Sequence, residues 1–205
     1  MSASDNLEVE VKFLIDDLAT LRERLAAAGA RQIKPRLYER NVRFDDREER
    51  LLSQGQLLRL RQDDGARLTF KGMVGEHEDS SSEAKVREEL EITIGDLDTA
   101  AAILERLGFT PRQVYEKYRE TFVLGDVEVV LDELPFGDFV ELEGSEDGIR
   151  DAARQLALPW EQRILDNYLH LMALMKARHG LPFDDLTFEN FDGLGLSIVG
   201  VLQEE

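Results

Sequence analysis

The stretch LEVEVKFLI, residues 7–15, alternates polar and apolar side chains with a period of two, which is typical of a β-strand with one face in a core. Glu8, Glu10 and Lys12 share one face of this strand, and the two valines and Phe13 share the other. Charges of both signs therefore lie on one side of the first predicted strand.

The same alternation recurs along the chain. It predicts further strands at 36–45, 56–63, 66–72, 84–94, 112–124, 126–133 and 138–144. Their one-sided charged residues are Arg59, Arg61, Lys71, Arg87, Glu89, Glu91, Lys117, Arg119, Glu128, Asp132, Glu141 and Glu143. Helices are predicted at 16–29, 96–107, 146–157 and 161–178, and a polar, turn-rich segment at 72–82 is predicted to be a mobile loop.

Two arrangements satisfy this pattern. An antiparallel sheet can pack its apolar face on helices and leave the charged face in water. Alternatively, a sheet of this many strands curls and closes with the helices outside, which places the charged faces inside. The recurrence of the pattern on about seven strands favours the closed arrangement.

Composition excludes several classes of function. The chain has 205 residues, a formal net charge of −18, three histidines and no cysteine, so disulfides, thiolate metal sites and His-built zinc sites are disfavoured. Such an acidic chain is a poor partner for nucleic acid or an anionic membrane. No uncharged apolar stretch reaches the roughly 18 residues of a membrane-spanning helix, and residues 1–12 lack the features of a secretion signal. We expect a cytoplasmic protein.

A closed sheet with both signs of charge inside indicates a particular ligand chemistry. Buried charges are heavily penalised unless they pair with each other or with a ligand. Arginines and lysines suit phosphate oxygens, whereas clustered carboxylates suit Mg²⁺ or Mn²⁺. A polyphosphate with bound metal satisfies both sets.

These motifs resemble a known family. The Glu-x-Glu-x-Lys pattern at 8–12 is similar to the first strand of the CYTH superfamily, also called triphosphate tunnel metalloenzymes. Further elements of that family follow in order: NVRFDD (41–46), LLRLR (57–61), RLTFK (67–71), VREELE (86–91), EKYRETF (116–122) and VVLDELPFGDFVELEG (129–144). The resemblance covers roughly residues 7–144.

The resemblance implies an α+β fold, a closed or nearly closed eight-stranded antiparallel β-barrel (tunnel) with helices packed outside. Residues 1–179 would form the tunnel domain, and 180–205 would be an extension that either packs as a lid or stays loose. Triphosphate would be bound by Lys12, Arg59, Arg61, Lys71, Arg87, Lys117 and Arg119, although Arg87 and Glu91 alternatively pair across the tunnel. Divalent metal, Mg²⁺ or Mn²⁺, would be bound by Glu8, Glu10, Asp132, Glu141 and Glu143.

The resemblance leaves more than one activity open. The first is hydrolysis of inorganic triphosphate or a small organic triphosphate, with Glu10, Glu143 and Lys12 as catalytic residues. The second is the class IV adenylyl cyclase reaction, which converts ATP to cyclic AMP and pyrophosphate and which FGDFVELEG (136–144) also resembles. The third is a non-catalytic polyphosphate-binding module. Thiamine triphosphatase is disfavoured by Arg43 and Phe44, where that group carries tyrosine. The expected partner is a small-molecule triphosphate, and neither a nucleic acid polymer nor a membrane is expected to bind. The oligomeric state stays open, with a homodimer as one alternative.

Overall fold

The computed structural model describes residues 7–73 and 82–202. The predicted loop at 72–82, with His77, lies almost entirely outside the described residues. The strands are β1 (Leu7–Ile15), β2 (Arg31–Asp45), β3 (Leu57–Gln62), β4 (Ala66–Met73), β5 (Lys85–Thr93), β6 (Thr110–Leu124), β7 (Val127–Leu134) and β8 (Gly137–Glu143). The helices are α1 (Leu18–Ala27), α2 (Arg50–Ser53), α3 (Leu97–Arg106), α4 (Glu146–Gln155), α5 (Tyr168–His179), α6 (Phe188–Phe191) and α7 (Val199–Leu202). None of the described helices is long and apolar enough to cross a membrane.

The eight strands close into a ring in the order β1-β5-β4-β3-β2-β6-β7-β8, and β1 pairs with both β5 and β8. All eight pairings are antiparallel. The predicted closed, eight-stranded antiparallel barrel is confirmed. β2 is longer than predicted, and its pairing with β6 shifts register between Lys34 and Leu37, the stretch that contains Pro35, which has no N–H to donate.

Helices cover much of the outside of the ring, because the alternate strand positions that carry apolar side chains face outward; positions that share a face are said here to share a parity. α1 and α4 pack over β1, β7 and β8, where Leu21, Ile149 and Leu142 are buried together. α3 packs over the opposite side through Leu104 against Leu60. The apolar side chains beneath these helices are buried, whereas Leu90 and Ile92 on the outward side of β5 are 46% and 60% exposed. The charged positions of each strand alternate with these outward residues and therefore point into the ring.

The prediction of one continuous helix over 161–178 was wrong at its start. Ile164 exchanges two backbone hydrogen bonds with Lys12 of β1, at 3.2 and 2.8 Å, so its backbone is extended rather than helical. Residues 160–162 form a single 3₁₀ turn, and α5 begins at Tyr168 with Asn167 as its N-cap. The apolar spacing continues across this break, which is why periodicity alone did not find it.

The C-terminal segment 181–202 packs against one end of the barrel. The backbone of Leu186 donates to the Val114 carbonyl and accepts from the Glu116 amide, both at 2.9 Å. The side chains of Leu186 and Ile198 are fully buried with α5 in a second apolar cluster. The described part of this segment, 181–202, is therefore packed against the barrel.

This packing predicts a measurable stability effect. We expect Leu186→Ala to lower the free energy of unfolding by about 2–5 kcal/mol, because it opens a cavity in a fully buried cluster. Leu194→Ala is the matched control in the same segment, since Leu194 is 45% exposed, and it should change stability little. Urea denaturation measures both, and equal losses for the two variants would contradict the packing described.

A charged tunnel as the candidate functional site

The ring encloses a cavity of about 900 Å³. It is lined by eleven of the twelve site residues predicted from the sequence: Glu8, Glu10, Lys12, Arg59, Arg61, Lys71, Arg87, Lys117, Arg119, Glu141 and Glu143. Glu89, Glu91 and Glu128, which share their parity, line it too. The twelfth predicted residue, Asp132, is fully buried and does not reach the cavity wall.

The first strand supplies an alternating set of charges. The ammonium of Lys12, only 2% exposed, lies 3.7 Å from carboxylate oxygens of both Glu10 and Glu141. Burial raises the pKa of Glu10, but Lys12 and neighbouring cations outweigh it and bring that pKa to about 2. Glu8 accepts a 2.6 Å hydrogen bond from Lys71 of β4. Glu10 is therefore ionised throughout the physiological range.

Two arginines on β3 form a positively charged wall. Arg59 donates to the Tyr115 hydroxyl at 2.8 Å and lies 3.8 Å from Glu89, while no described residue accepts a hydrogen bond from its buried Nε. Arg61 donates to Asn41 at 3.3 Å. Burial and the charge of Arg59 lower the pKa of Arg61, although Arg61 also lies 3.4 Å from the buried carboxylate of Glu39. Both arginines border the cavity, where an anion would reach them.

A second basic group lies on β6. Lys117 and Arg119 donate to the carboxylate of Asp132, at 2.9 Å and 2.7 Å, and Arg119 also reaches Glu141 at 2.5 Å. The hydroxyl of Tyr168, from α5, donates to the same Asp132 carboxylate at 3.0 Å. Asp132 thus lies behind the cavity wall and holds the two cations that line it.

Arg87 and Glu91 do not pair with each other across the tunnel. Arg87 donates to the backbone carbonyl of Gly55. Glu91 accepts from the Thr69 hydroxyl at 2.8 Å and lies 3.6 Å from Arg67. Both side chains nevertheless border the cavity, as the strand parity predicts.

The carboxylates of β1, β8 and β7 are crowded at adjacent positions. Glu143 stands opposite Glu10 on one side and Glu128 on the other. Burial and then the charge of Glu8 raise the pKa of Glu143 to about 8. The described residues contain no preformed group of three or more metal-binding side chains. The donors still fit a hard divalent cation, because they are oxygen ligands whose mutual repulsion such a cation would offset.

The raised pKa of Glu143 predicts a pH dependence of stability. Between its ordinary value of 4.5 and about 8, the folded protein keeps this proton and the unfolded chain loses it. In metal-free buffer, the free energy of unfolding should therefore fall as pH rises across this window. We expect Glu143→Gln to flatten that fall in urea denaturation series, whereas Glu161→Gln, on the surface turn at 160–162, should leave it unchanged. Parallel curves for wild type and Glu143→Gln would contradict this origin.

Several cavity residues were missed by the sequence reasoning. Lys85 has the parity of Arg87 on β5, and it lies 3.3 Å from Glu10. Arg43 has the parity of Glu39 on β2 and donates to Glu49 at 2.8 Å. The strand periodicity was a sufficient signal for these two strand residues, Lys85 and Arg43. Tyr168 had no such signal, because a helix N-terminus has no fixed register with the barrel.

Comparison with known proteins agrees with this geometry. The CYTH domain profile matches residues 6–164, which is most of the chain. The chain belongs to the CYTH family. A putative adenylate cyclase from Methanocaldococcus jannaschii is 31% identical over 152 residues, covering 73% of this CYTH chain and 83% of the relative.

Solved structures share the CYTH fold. A putative adenylate cyclase from Vibrio parahaemolyticus superposes with a TM-score of 0.71 at 21% identity, over 82% of this chain and 98% of that one. A putative adenylyl cyclase from Hippeastrum, described as having a dominant triphosphatase activity, gives a TM-score of 0.55 at 17% identity, over 84% and 96%. At these identities the likeness concerns the fold. The CYTH match ends at residue 164, so the cavity-lining residues of α5 lie beyond it.

Proposed function

We propose that this CYTH protein is a divalent-metal-dependent triphosphatase that hydrolyses inorganic triphosphate or a small organic triphosphate inside the tunnel. One observation carries the proposal: β3 and β8 lie directly across the ring from each other, four strands apart in either direction. Arg59 and Arg61 therefore face Glu141 and Glu143 across one cavity. A cationic wall facing an acidic wall matches a triphosphate that carries its own cation.

The basic residues have the role of holding the triphosphate. Guanidinium groups bond two phosphate oxygens at once, and ammonium groups act as point charges. The binding set is Lys12, Arg59, Arg61, Lys71, Arg87, Lys117 and Arg119. Held by several strands of a closed sheet, these groups are already in place before the substrate arrives, so little reorganisation accompanies the reaction.

The acidic residues have two roles. Glu8, Glu10, Glu141 and Glu143 are the side chains that would hold Mg²⁺ or Mn²⁺. When bound, the metal would neutralise charge on the triphosphate and lower the pKa of water. Glu10 and Glu143 orient the attacking water toward the terminal phosphorus. Glu10 and Glu143 stand opposite each other in the pairing of β1 with β8, so both carboxylates border the same part of the cavity.

The remaining step is departure of the leaving group. The bond between the terminal phosphorus and its bridging oxygen breaks, and negative charge develops on the diphosphate. Lys12, between Glu10 and Glu141, is placed to neutralise charge on the transferred phosphoryl group. The guanidinium groups of β3 and β6 stabilise the departing diphosphate.

Cyclisation of ATP is the second candidate function. It is favoured by the M. jannaschii relative, which is named a putative adenylate cyclase. The described cavity wall offers two aromatic rings, Tyr115 and Tyr168, and both hydroxyls are engaged with charged residues of the phosphate site. This lining favours a ligand made mainly of phosphate, and we place hydrolysis first.

Product analysis separates the two reactions. Purified protein is incubated with inorganic triphosphate or with ATP, each with Mg²⁺ or Mn²⁺, and the products are resolved by ion-exchange chromatography. The proposal predicts orthophosphate with diphosphate or ADP. Cyclic AMP with pyrophosphate would establish the cyclase, and the absence of any product from either substrate would favour a binding module.

A further inference from the structure

Asp132 differs from the other acidic residues of the site in its surroundings. It is fully buried, whereas Glu10, Glu141 and Glu143 line the cavity. Its Oδ1 accepts from Nε of Arg119 at 2.7 Å. Its Oδ2 accepts from Lys117 at 2.9 Å, from Nη2 of Arg119 at 2.5 Å and from the Tyr168 hydroxyl at 3.0 Å. Both oxygens are thus engaged by protein donors.

These contacts, together with the position of Asp132 behind the cavity wall, do not suit a metal ligand, whereas Glu8 and Glu141 also accept from cationic side chains but line the cavity. A carboxylate that binds a cation must present oxygen lone pairs to it, and three of the four donors around Asp132 are N–H groups of cationic side chains. Placing a cation there would also bring it against Lys117 and Arg119. The resemblance assigned Asp132 to the metal, and its surroundings in this chain do not fit that role.

We propose that Asp132 is a positioning residue that fixes Lys117 and Arg119 for triphosphate binding, with Tyr168 completing its hydrogen bonds. This inference rests on the proposed function. The pair of bonds from Arg119 holds the guanidinium plane, and Arg119 also lines the cavity. Arg119 acts on the substrate directly, and Asp132 acts through it.

Tyr168 extends this positioning to the C-terminal part of the chain. Burial and the nearby Asp132 charge raise the pKa of Tyr168, so its hydroxyl stays protonated and keeps donating. The ammonium groups of Lys12 and Lys117 lie 5.4 and 5.2 Å from the centre of its ring. α5 lies outside the region that matches the CYTH family. Its Tyr168 nevertheless completes the hydrogen bonds of Asp132, the carboxylate that holds Lys117 of the EKYRETF motif.

Two binding constants distinguish positioning from metal ligation. Calorimetry with inorganic triphosphate and electron paramagnetic resonance with Mn²⁺ alone are applied to wild type, Asp132→Asn, Tyr168→Phe and Glu143→Gln. An amide has only one acceptor oxygen, so Asp132→Asn turns an N–H toward one of the two cations and displaces it. We expect its triphosphate Kd to rise about tenfold and its Mn²⁺ Kd to stay within about twofold of wild type.

The other variants make the outcome decisive. Glu143→Gln should show the reverse pattern, weaker Mn²⁺ binding with a smaller change in triphosphate binding measured without metal. Tyr168→Phe removes one donor only and should raise the triphosphate Kd about threefold, which keeps the inference testable if Asp132→Asn does not fold. A rise in the Mn²⁺ Kd of Asp132→Asn as large as that of Glu143→Gln would overturn the assignment, as would wild-type triphosphate binding in both Asp132→Asn and Tyr168→Phe. If wild type itself binds no triphosphate, the proposed function fails instead.

Discussion

Glu10→Gln is expected to lower metal-dependent kcat/KM for triphosphate by roughly 10²–10³-fold, the size seen when one preorganised charge-stabilising group is lost from an active site. Glu10 is ionised at neutral pH and stands beside Glu143 in the crowded carboxylate group. The amide keeps the size of the side chain but removes its charge and one acceptor oxygen. The effect should appear in kcat, because the change acts on the reacting groups. Steady-state orthophosphate release at saturating Mn²⁺ measures it.

The matched control for this change is Glu88→Gln. Glu88 lies on β5 with the outward parity and is exposed, so its replacement should leave kcat/KM unchanged. Thermal unfolding of both variants shows whether the barrel is intact. A folded Glu10→Gln variant with wild-type turnover would rule out a mechanism based on the tunnel carboxylates.

Arg59→Gln should raise the Kd for inorganic triphosphate about 100-fold, which corresponds to about 2.7 kcal/mol. Arg59 is 6% exposed, so its charge acts in a poorly hydrated site, and loss of hydrogen bonds to a charged ligand costs about 1.5–3 kcal/mol each. Gln keeps this part of the wall polar, but it ends short of the Nη atoms of Arg59, so the hydrogen bond to the Tyr115 hydroxyl is lost together with the charge. Calorimetry in the absence of metal isolates the binding effect.

Arg36→Gln is the corresponding control outside the tunnel. Arg36 is also a strand arginine, but its side chain is 46% exposed and bonds to Glu133 at 2.8 and 2.9 Å. It should bind triphosphate as wild type does. An unchanged Kd for Arg59→Gln, or an equal loss for Arg36→Gln, would show that general electrostatic attraction rather than the β3 wall holds the ligand.

Strand parity accounts for what could be predicted. On a closed sheet a period of two decides which side chains face the lumen, so residues such as Arg59, Lys71 and Glu141 were placed correctly from their positions in LLRLR, RLTFK and VELE. The same rule applied to β2 and to the start of β5 would have found Arg43 and Lys85. The prediction that the sheet closes rested on the pattern summed over all the strands and on the family motifs. A single strand with one charged face fits an open sheet, with that face in water, equally well.

Two features of the site could not be predicted from the sequence: how deeply a side chain is buried, and which contacts form between elements far apart in the chain. Asp132 has the correct parity, yet parity does not distinguish a side chain at the cavity surface from one shielded by Lys117 and Arg119. Tyr168 donates to Asp132 from the start of α5, just after Ile164 has paired with Lys12 of β1. That pairing joins residues far apart in the sequence, so the local periodicity does not predict it.

A crystal structure of the protein with inorganic triphosphate and Mn²⁺, with anomalous scattering used to locate the manganese, tests the central claim most directly. We predict triphosphate inside the ring, with oxygens bonded to Arg59, Arg61 and Arg119, and an anomalous peak beside Glu10 and Glu143. Asp132 should remain bonded to Lys117 and Arg119. Triphosphate bound outside the ring, or manganese away from the β1 and β8 carboxylates, would contradict the account.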